Sequence, residues 1–403
     1  MNDMLTRTIS IKLATVGQDA ALAETQARFN AAATWIASVC WQEHITNTNT
    51  AHRRVYGDTR VRFGLGAQLA CCARAKAVEA IRAVKTLDAQ RLARWKQGQA
   101  KRKGKGTPKP PMPPPEPSTC PRFGARGSVR YDARTYRLLP LDRVSLSTVD
   151  GRITCRLLPG ARQHEMLCDP AWTCGGADLV WRDGTYYFNV TQHGQTPPLI
   201  ETTGTLGVDL GVVNIATDSE GESFTGSQVR KKRAAFVARR AALQRHGTRS
   251  ATRRLRKMSG RERRYMRDVN HRISKALVAK AATSRKALAL EDLTGIRERV
   301  TVRRDQRYER HTWAFFQLRL FLAYKAAWGG VPVRLVDPAY TSQTCSRCGH
   351  CARANRHSQA SFLCTSCGFA SHADWNAAIN ISVVACQAAN GSAGTSAVTS
   401  PRL

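Results

Sequence analysis

The stretch GVDLGVVNIATDSEG, residues 207–221, decides how the second half of the chain is read. It reads as two or three short strands separated by glycine-containing turns. Asp209 lies inside the first of these, among apolar neighbours. An unpaired carboxylate there is costly unless it meets a metal ion or a cation. Two further acids stand in comparable company. Glu291 ends the apolar strand of LALEDL, 288–293, and Asp374 opens the helical stretch DWNAAINI, 374–381. Taken singly, Glu291 also fits a strand-end acid meeting solvent, and Asp374 fits a helix N-cap. Asp292 rivals Glu291, but strand alternation lets only one of the two face a common site. Converging carboxylates are what hard divalent cations require. A two-metal phosphodiester hydrolysis uses one ion to activate water and the other to stabilise the departing 3′ oxygen.

Between Glu291 and Asp374 lie two knuckles, Cys345-Ser-Arg-Cys348-Gly349 and Cys364-Thr-Ser-Cys367-Gly368. Fifteen residues separate Cys348 from Cys364, a zinc-ribbon spacing. Each knuckle is followed by glycine, which suits a turn that aims backbone amides at sulfur. Cys351 has no such glycine and is left out. His350, His357 and His372 remain possible substitutes. A zinc ion held by four thiolates would be structural, since no coordination position stays open. The other eight cysteines are scattered. With no secretion signal in view, they read as small buried hydrophobes in a reducing cytoplasm.

The chain has 403 residues, 63 Lys+Arg against 29 Asp+Glu, and a formal net charge of +34. Its hydrophobic fraction of 42% excludes a disordered polycation, so the charge lies on folded surface. Such self-repulsion points to a polyanionic partner. No run of about 18 apolar residues occurs, so a membrane-spanning role is not expected. The densest positive run reads as helix over 227–282. It carries Arg230, Lys231, Lys232, Arg233, Arg239, Arg240, Arg253, Arg254, Arg256, Lys257, Arg263 and Arg264 among Ala, Leu, Val and Met. Helices that pack by one face and hold phosphates with the other have this composition, although a charge run alone can be a solvated face. Arg91, Arg94, Lys96, Lys101, Arg102, Lys103 and Lys105 form a second candidate contact region. Trp35, Trp41 and Trp95 read as core aromatics before they read as base-stacking groups.

The first half begins with a strand over 5–13, then helical runs over 19–43 and 65–100. A Lys-, Gly- and Pro-dense linker follows over 101–121. Short β segments fill 127–193, ending in a hairpin that turns at Arg182-Asp183-Gly184. After a connector at 194–203, the second half adds an amphipathic helix over 311–328, a strand over 331–340 and a small, polar tail.

In combination, GVDLGVVNIATDSEG, LALEDL and TSQTCSRCG…FLCTSCGFASHADWNAAINI resemble the split RuvC nuclease of TnpB proteins. These are transposon-encoded and related to the miniature type V CRISPR effectors. The acids are nearly evenly spaced, and the ribbon interrupts the fold just before the last of them, as in that family. The resemblance is strongest over 204–386 and looser before it. It implies an α+β and α/β multidomain protein: a β-barrel wedge domain with an inserted helical recognition lobe, and an RNase H-like RuvC nuclease domain with an inserted zinc ribbon. It divides the chain into 1–15 with 122–200 as wedge, 16–121 as recognition insertion, 201–340 with 370–388 as nuclease, 341–369 as ribbon and 389–403 as disordered tail. It implies Asp209, Glu291 and Asp374 as Mg²⁺ ligands, and Cys345, Cys348, Cys364 and Cys367 as ligands of a structural Zn²⁺. Asn376 and Asn380 match the family motif and would order the acidic site from one helix face. The partners implied are a guide RNA and double-stranded target DNA, with base pairing reading the sequence. The expected activity is RNA-guided DNA cleavage in the bacterial cytoplasm. A CRISPR effector of the same chemistry and a nuclease-silent RNA-guided repressor are the alternatives. The repressor would be expected to lack a catalytic acid, and all three are present.

Overall fold

The computed structural model describes residues 4–103, 113–211, 213–292 and 315–390. The chain divides into two compact units, Met1–Gln195 and Thr196–Leu403.

The first unit is a seven-stranded antiparallel sheet with a helical insertion. Strand β1 (Met4–Ala14) leads into α1 (Asp19–Gln42), α2 (Thr48–Phe63) and α3 (Ala67–Lys103). Strands β2 (Val129–Tyr131), β3 (Tyr136–Leu139), β4 (Arg143–Thr148) and β5 (Gly151–Leu158) follow. Helix α4 (Ala161–Cys168) precedes the long hairpin of β6 (Trp172–Arg182) and β7 (Thr185–Gln195). That hairpin turns at Asp183 and Gly184, both at positive φ, as a two-residue primed turn requires.

The sheet order is β2-β6-β7-β1-β5-β4-β3. Its outermost strands, β2 and β3, are joined by only four residues, Asp132 to Thr135. Five Cα steps reach at most about 19 Å. A flat sheet would hold its first and seventh strands about 29 Å apart. The sheet therefore curls until its edges meet. Tyr136 Oη on β3 donates to the carbonyl of Gly175 on β6 at 2.7 Å, across that seam. The curl encloses Tyr131, Tyr136, Tyr186 and Phe188, with Tyr131 and Tyr136 both edge-on to Phe188.

Helix α2 is absent from the sequence reading because only Ala51, Val55 and Thr59 are buried along its 16 residues. Asn47 caps its N-terminus and Gly64, in the left-handed region, ends it. Of the expected linker, 113–121 returns along α3, where Asp88 accepts both the amide and the hydroxyl of Ser118. Residues 104–112, including Lys105, lie outside the described residues, as does the expected tail from 391. Trp35 and Trp41 pack against the core of this unit, as expected. Cys168 and Cys174 depart from the buried-thiol reading and are exposed, whereas Cys40, Cys72 and Cys155 are buried. All thirteen cysteines are free thiols.

The second unit is built on a five-stranded sheet of order β10-β9-β8-β11-β12. Its strands are β8 (Gly204–Asp209), β9 (Asn214–Asp218), β10 (Ser223–Thr225), β11 (Lys286–Glu291) and β12 (Val333–Val336). β8, β11 and β12 run parallel, and β9 and β10 extend the sheet antiparallel. Between β10 and β11 come α5 (Ser227–His246) and α6 (Arg249–Thr283). The expected single helical run breaks at Gly247, whose φ of 59° ends α5, while Thr248 caps α6. Lys280 ties α6 to the turn after β9 through Asp218, Glu220 and Glu222. Helix α7 (Phe315–Trp328) contributes Leu318, Leu322 and Ala326 to the core. The two-stranded ribbon of β13 (Ser361–Leu363) and β14 (Ala370–His372) leads into α8 (Ala373–Asn390).

Helix α8 lies directly on β8. A Cβ placed on Gly207 would strike the carbonyl of Ala378 and stand 2.6 Å from Ser382 N. Glycine is what lets the helix backbone approach this strand.

Candidate functional site

Asp209 and Glu291 end neighbouring parallel strands. The register pairs Leu290 with Val208, so the next residue on each strand is an acid at the carboxyl edge of the sheet. Ligand sites in open α/β sheets sit at that edge. Asp374 reaches the same place from the first turn of α8, positioned by the contact at Gly207. Three acids far apart in sequence thus converge at one sheet edge.

Their environments differ. Burial, reinforced by the charges of Glu291 and Asp374, pushes Asp209 up to about 7. Burial also raises Glu291, opposed by the hydrogen bond from Thr341 Oγ1 to Glu291 Oε1 at 2.6 Å. Asp374 is 3% exposed. Its Oδ2 accepts from Asn214 Nδ2 at 3.0 Å, so it is not spent on capping α8. Its Oδ1 is buried without a hydrogen-bond partner, and Arg356 Nη2 stands 3.8 Å away. Asp292 turns away, as alternation required, and accepts Arg319 Nη1 from α7 at 2.8 Å.

The donor set is all oxygen, crowded, partly desolvated and short of positive charge. Three carboxylates with one orphaned buried oxygen fit a hard divalent cation such as Mg²⁺. Asp209, Glu291 and Asp374 are the residues that would hold it.

Asn376 and Asn380 act one step further out than the sequence suggested. Asn376 donates to Thr344 O at 2.8 Å and accepts from Ser346 N at 2.9 Å. Asn380 donates to Thr341 O at 2.8 Å and Thr344 O at 2.7 Å. Both grip the segment entering the first knuckle rather than the acids. Thr341 in that segment then holds Glu291.

The four knuckle cysteines come together, all sulfurs lying within 4.8 Å of one another. Cys345 and Cys367 sulfurs are 3.7 Å apart, and those of Cys348 and Cys364 are 3.6 Å apart. Thiolates about 2.3 Å from a tetrahedral centre are separated by about 3.8 Å, so this group could hold zinc. The amides of Cys367 and Ser366 lower the Cys364 thiol, which favours its thiolate. Cys351, His350, His357 and His372 are not among the four.

The basic residues of α5 and α6 do not behave alike. Arg230, Lys231, Lys232, Arg239, Arg253, Arg254, Arg256, Lys257, Arg263 and Arg264 are exposed. Arg233 is only 5% exposed, and Arg240 is held by Glu262 at 2.7 Å. Arg240 thus links α5 to α6 and Arg233 is buried, so these two depart from the phosphate-facing reading. Their spacing carried the signal, because Arg233 falls one turn after the buried Val229. Sequence reasoning also missed Asn214, Thr341 and Arg356. Asn214 opens the strand that pairs back onto Asp209, which is a usable signal, whereas Arg356 carries none before the ribbon is folded.

Two family models match the chain. One, described as "Probable transposase", covers residues 188–294, and a Cas12f1-like TNB domain covers 315–381. The chain is 30% identical over 222 residues to a CRISPR-associated endodeoxyribonuclease Cas12f1 of Sulfoacidibacillus thermotolerans, covering 50% of this chain and 51% of that one. It is 36% identical over 126 residues to a TnpB-like protein of Methanocaldococcus jannaschii, covering 31% and 45%. The chain thus spans about half the length of the curated relatives it matches. Among solved structures, the mini-RNA-guided endonuclease CRISPR-Cas phi3 aligns with a TM-score of 0.55 at 10% identity, over 94% of this chain and 92% of that one, a likeness of fold. The resemblance read from the sequence is borne out by these matches. Among the described residues, no helix is long and apolar enough to cross a membrane.

Proposed function

We propose that the chain is a TnpB-type RNA-guided DNA endonuclease whose RuvC-like site is Asp209, Glu291 and Asp374. The observation that carries the reading is their convergence at the carboxyl edge of the sheet, with Asp374 Oδ1 buried and lacking a hydrogen-bond partner. In this reading, residues 201–340 with 370–388 form the RNase H-like nuclease domain. The four-cysteine ribbon holds structural Zn²⁺, and the curled sheet of the first unit is the wedge, with α1 to α3 as the recognition lobe.

Bound at the three acids, Mg²⁺ would supply a nucleophilic water and charge stabilisation at the scissile phosphate. The protein's own residues supply the rest. Asn214 fixes the carboxylate plane of Asp374 through its Oδ2, leaving Oδ1 to the site. Thr341 donates to Glu291 Oε1 and leaves the second oxygen for a ligand. Arg356 brings positive charge beside Asp374, where an anionic phosphate would arrive. The exposed cations of α5 and α6 would hold the guide RNA by its backbone, and pairing of guide to DNA would read sequence. The proposed setting is the bacterial cytoplasm, at the nucleoid. A CRISPR effector of the same chemistry is the second reading, since Cas12f1 is among the relatives.

The test is to sequence the RNA that co-purifies with the full chain and then to assay Mg²⁺-dependent cleavage of matching DNA. Asp209→Ala is expected to abolish cleavage and to retain the RNA. Undiminished cutting by that variant would overturn the active-site assignment. RNA mapping beside a transposon end, as opposed to a repeat array, separates the two origins.

A further inference from the structure

We infer that the groove between α5 and α6 is a pocket for unpaired nucleotides of the bound RNA. It would seat bases on its floor and phosphates on its rim. The inference rests on the RNA-guided reading and goes beyond it, because backbone contacts alone need only a basic helix face.

The two helices form an antiparallel hairpin. Lys232 lies 4.0 Å over the Tyr265 ring near one end, and Arg240 meets Glu262 further along, so residue numbers run in opposite directions. Between residues 236–243 of α5 and 253–261 of α6 lies a groove of about 930 Å³. That is the upper part of the range in which whole ligands are held, roughly 300–1,000 Å³. Its floor is apolar, with Phe236, Leu243 and Met258. Its rim is cationic, with Arg239, Arg254 and Lys257 among others, and among the described residues no acid lines it.

An open apolar floor in so charged a hairpin needs an occupant. A second copy of this chain would bring another net charge of +34 against the same rim. An apolar helix would leave the rim cations without counter-charge. A nucleotide meets both surfaces at once, offering a π-face to the floor and a phosphate to the rim. Duplex DNA does not present its bases this way, whereas single-stranded RNA displays unstacked bases that pack on aromatic and apolar side chains. The guide is also the nucleic acid at hand before any target is opened.

The experiment compares wild-type, Ala242→Trp and Arg254→Ala chains, each as the full protein with its co-purifying RNA. Ala242 lines the groove, and tryptophan there fills it without removing a cation. Base-directed chemical probing is expected to find a short unpaired stretch protected in wild type and reactive in Ala242→Trp. Affinity for that RNA is expected to fall at least about fivefold in Ala242→Trp with an unchanged salt slope. In Arg254→Ala the slope is expected to fall by about one. If Ala242→Trp melts early, Phe236→Ala decides, since it removes floor without adding bulk and is expected to lose the same protection. Intact protection and affinity in the folded variant would overturn the inference. So would protection that appears only on DNA once a target is opened. A wild-type chain that carries no RNA would instead refute the RNA-guided reading itself.

Discussion

Replacing Asp209 with asparagine is expected to stabilise the Mg²⁺-free protein at pH 8. Asp209 titrates near 7 in the fold, against an ordinary value of 3.8. The folded state therefore keeps this proton over a range in which the unfolded chain has lost it. The sign follows from linkage: where the folded state binds more protons, stability falls as pH rises. The loss begins near pH 4, continues to about pH 7 and is complete above that. Each pH unit inside the window costs about 1.4 kcal/mol, so the whole window is of the order of 4 kcal/mol. Asparagine keeps the size and removes the charge. The variant should lose this part of the pH dependence and melt several degrees higher than wild type at pH 8. The assay is thermal or urea unfolding from pH 4 to pH 8 in buffer free of Mg²⁺ but without chelator, so that any zinc stays in place. Added Mg²⁺ is expected to stabilise wild type at pH 8 and to have little effect on the variant. A wild-type stability that does not fall between pH 4 and 7, or an asparagine variant no more stable at pH 8, would refute the picture of crowded, desolvated carboxylates.

Other expectations concern the residues around the acids. Cys364→Ser is expected to release zinc and to destabilise the ribbon, read by elemental analysis together with proteolysis of residues 341–372; a folded wild-type chain free of metal would refute the ribbon. Thr341→Val should slow cleavage about tenfold while shifting stability by about 1 kcal/mol at most, and a variant that cuts at the wild-type rate would remove Thr341 from the positioning of Glu291. Gly207→Ala is expected to destabilise the second unit by about 1–3 kcal/mol, as overpacking does, with urea unfolding as the measure and unchanged stability as the contrary result.

How much of this could be read from residues alone follows from where each signal resides. Asp209 and Glu291 betrayed themselves because each is a charge in apolar strand company, Asp209 read inside its strand and Glu291 at the end of its own, a local contradiction that calls for a partner; the structure ends β8 at Asp209. The knuckles were readable because a four-cysteine group that could hold zinc carries its spacing in the chain. The hairpin at Asp183-Gly184 was readable because positive φ demands such residues. Helix α2 was not, since three buried positions in 16 give too weak a periodic pattern. Nor was Thr341, whose role depends on a 2.6 Å contact across 50 residues of chain. The burial of Arg233 lay within reach of helical phase but was masked by the charge around it. Asn376 and Asn380 share a face and both donate to Thr344 O, but their partners are backbone groups that no side-chain pattern reveals.

The seat of α8 on Gly207 also sets an order of assembly. Strands β8 and β11 bring two acids together from sequence within one parallel pair. The third arrives only when α8 docks, some 160 residues beyond the Asn214 that receives it. A ribosome adds residues from the N-terminus, and domains form as their segments emerge. On the proposed RNA-guided reading, the basic hairpin of α5 and α6 would therefore be exposed and free to take up RNA while the acidic cluster still lacks Asp374. On this schedule a nascent RNA-guided nuclease would meet its nucleic acid before it is equipped to cut any.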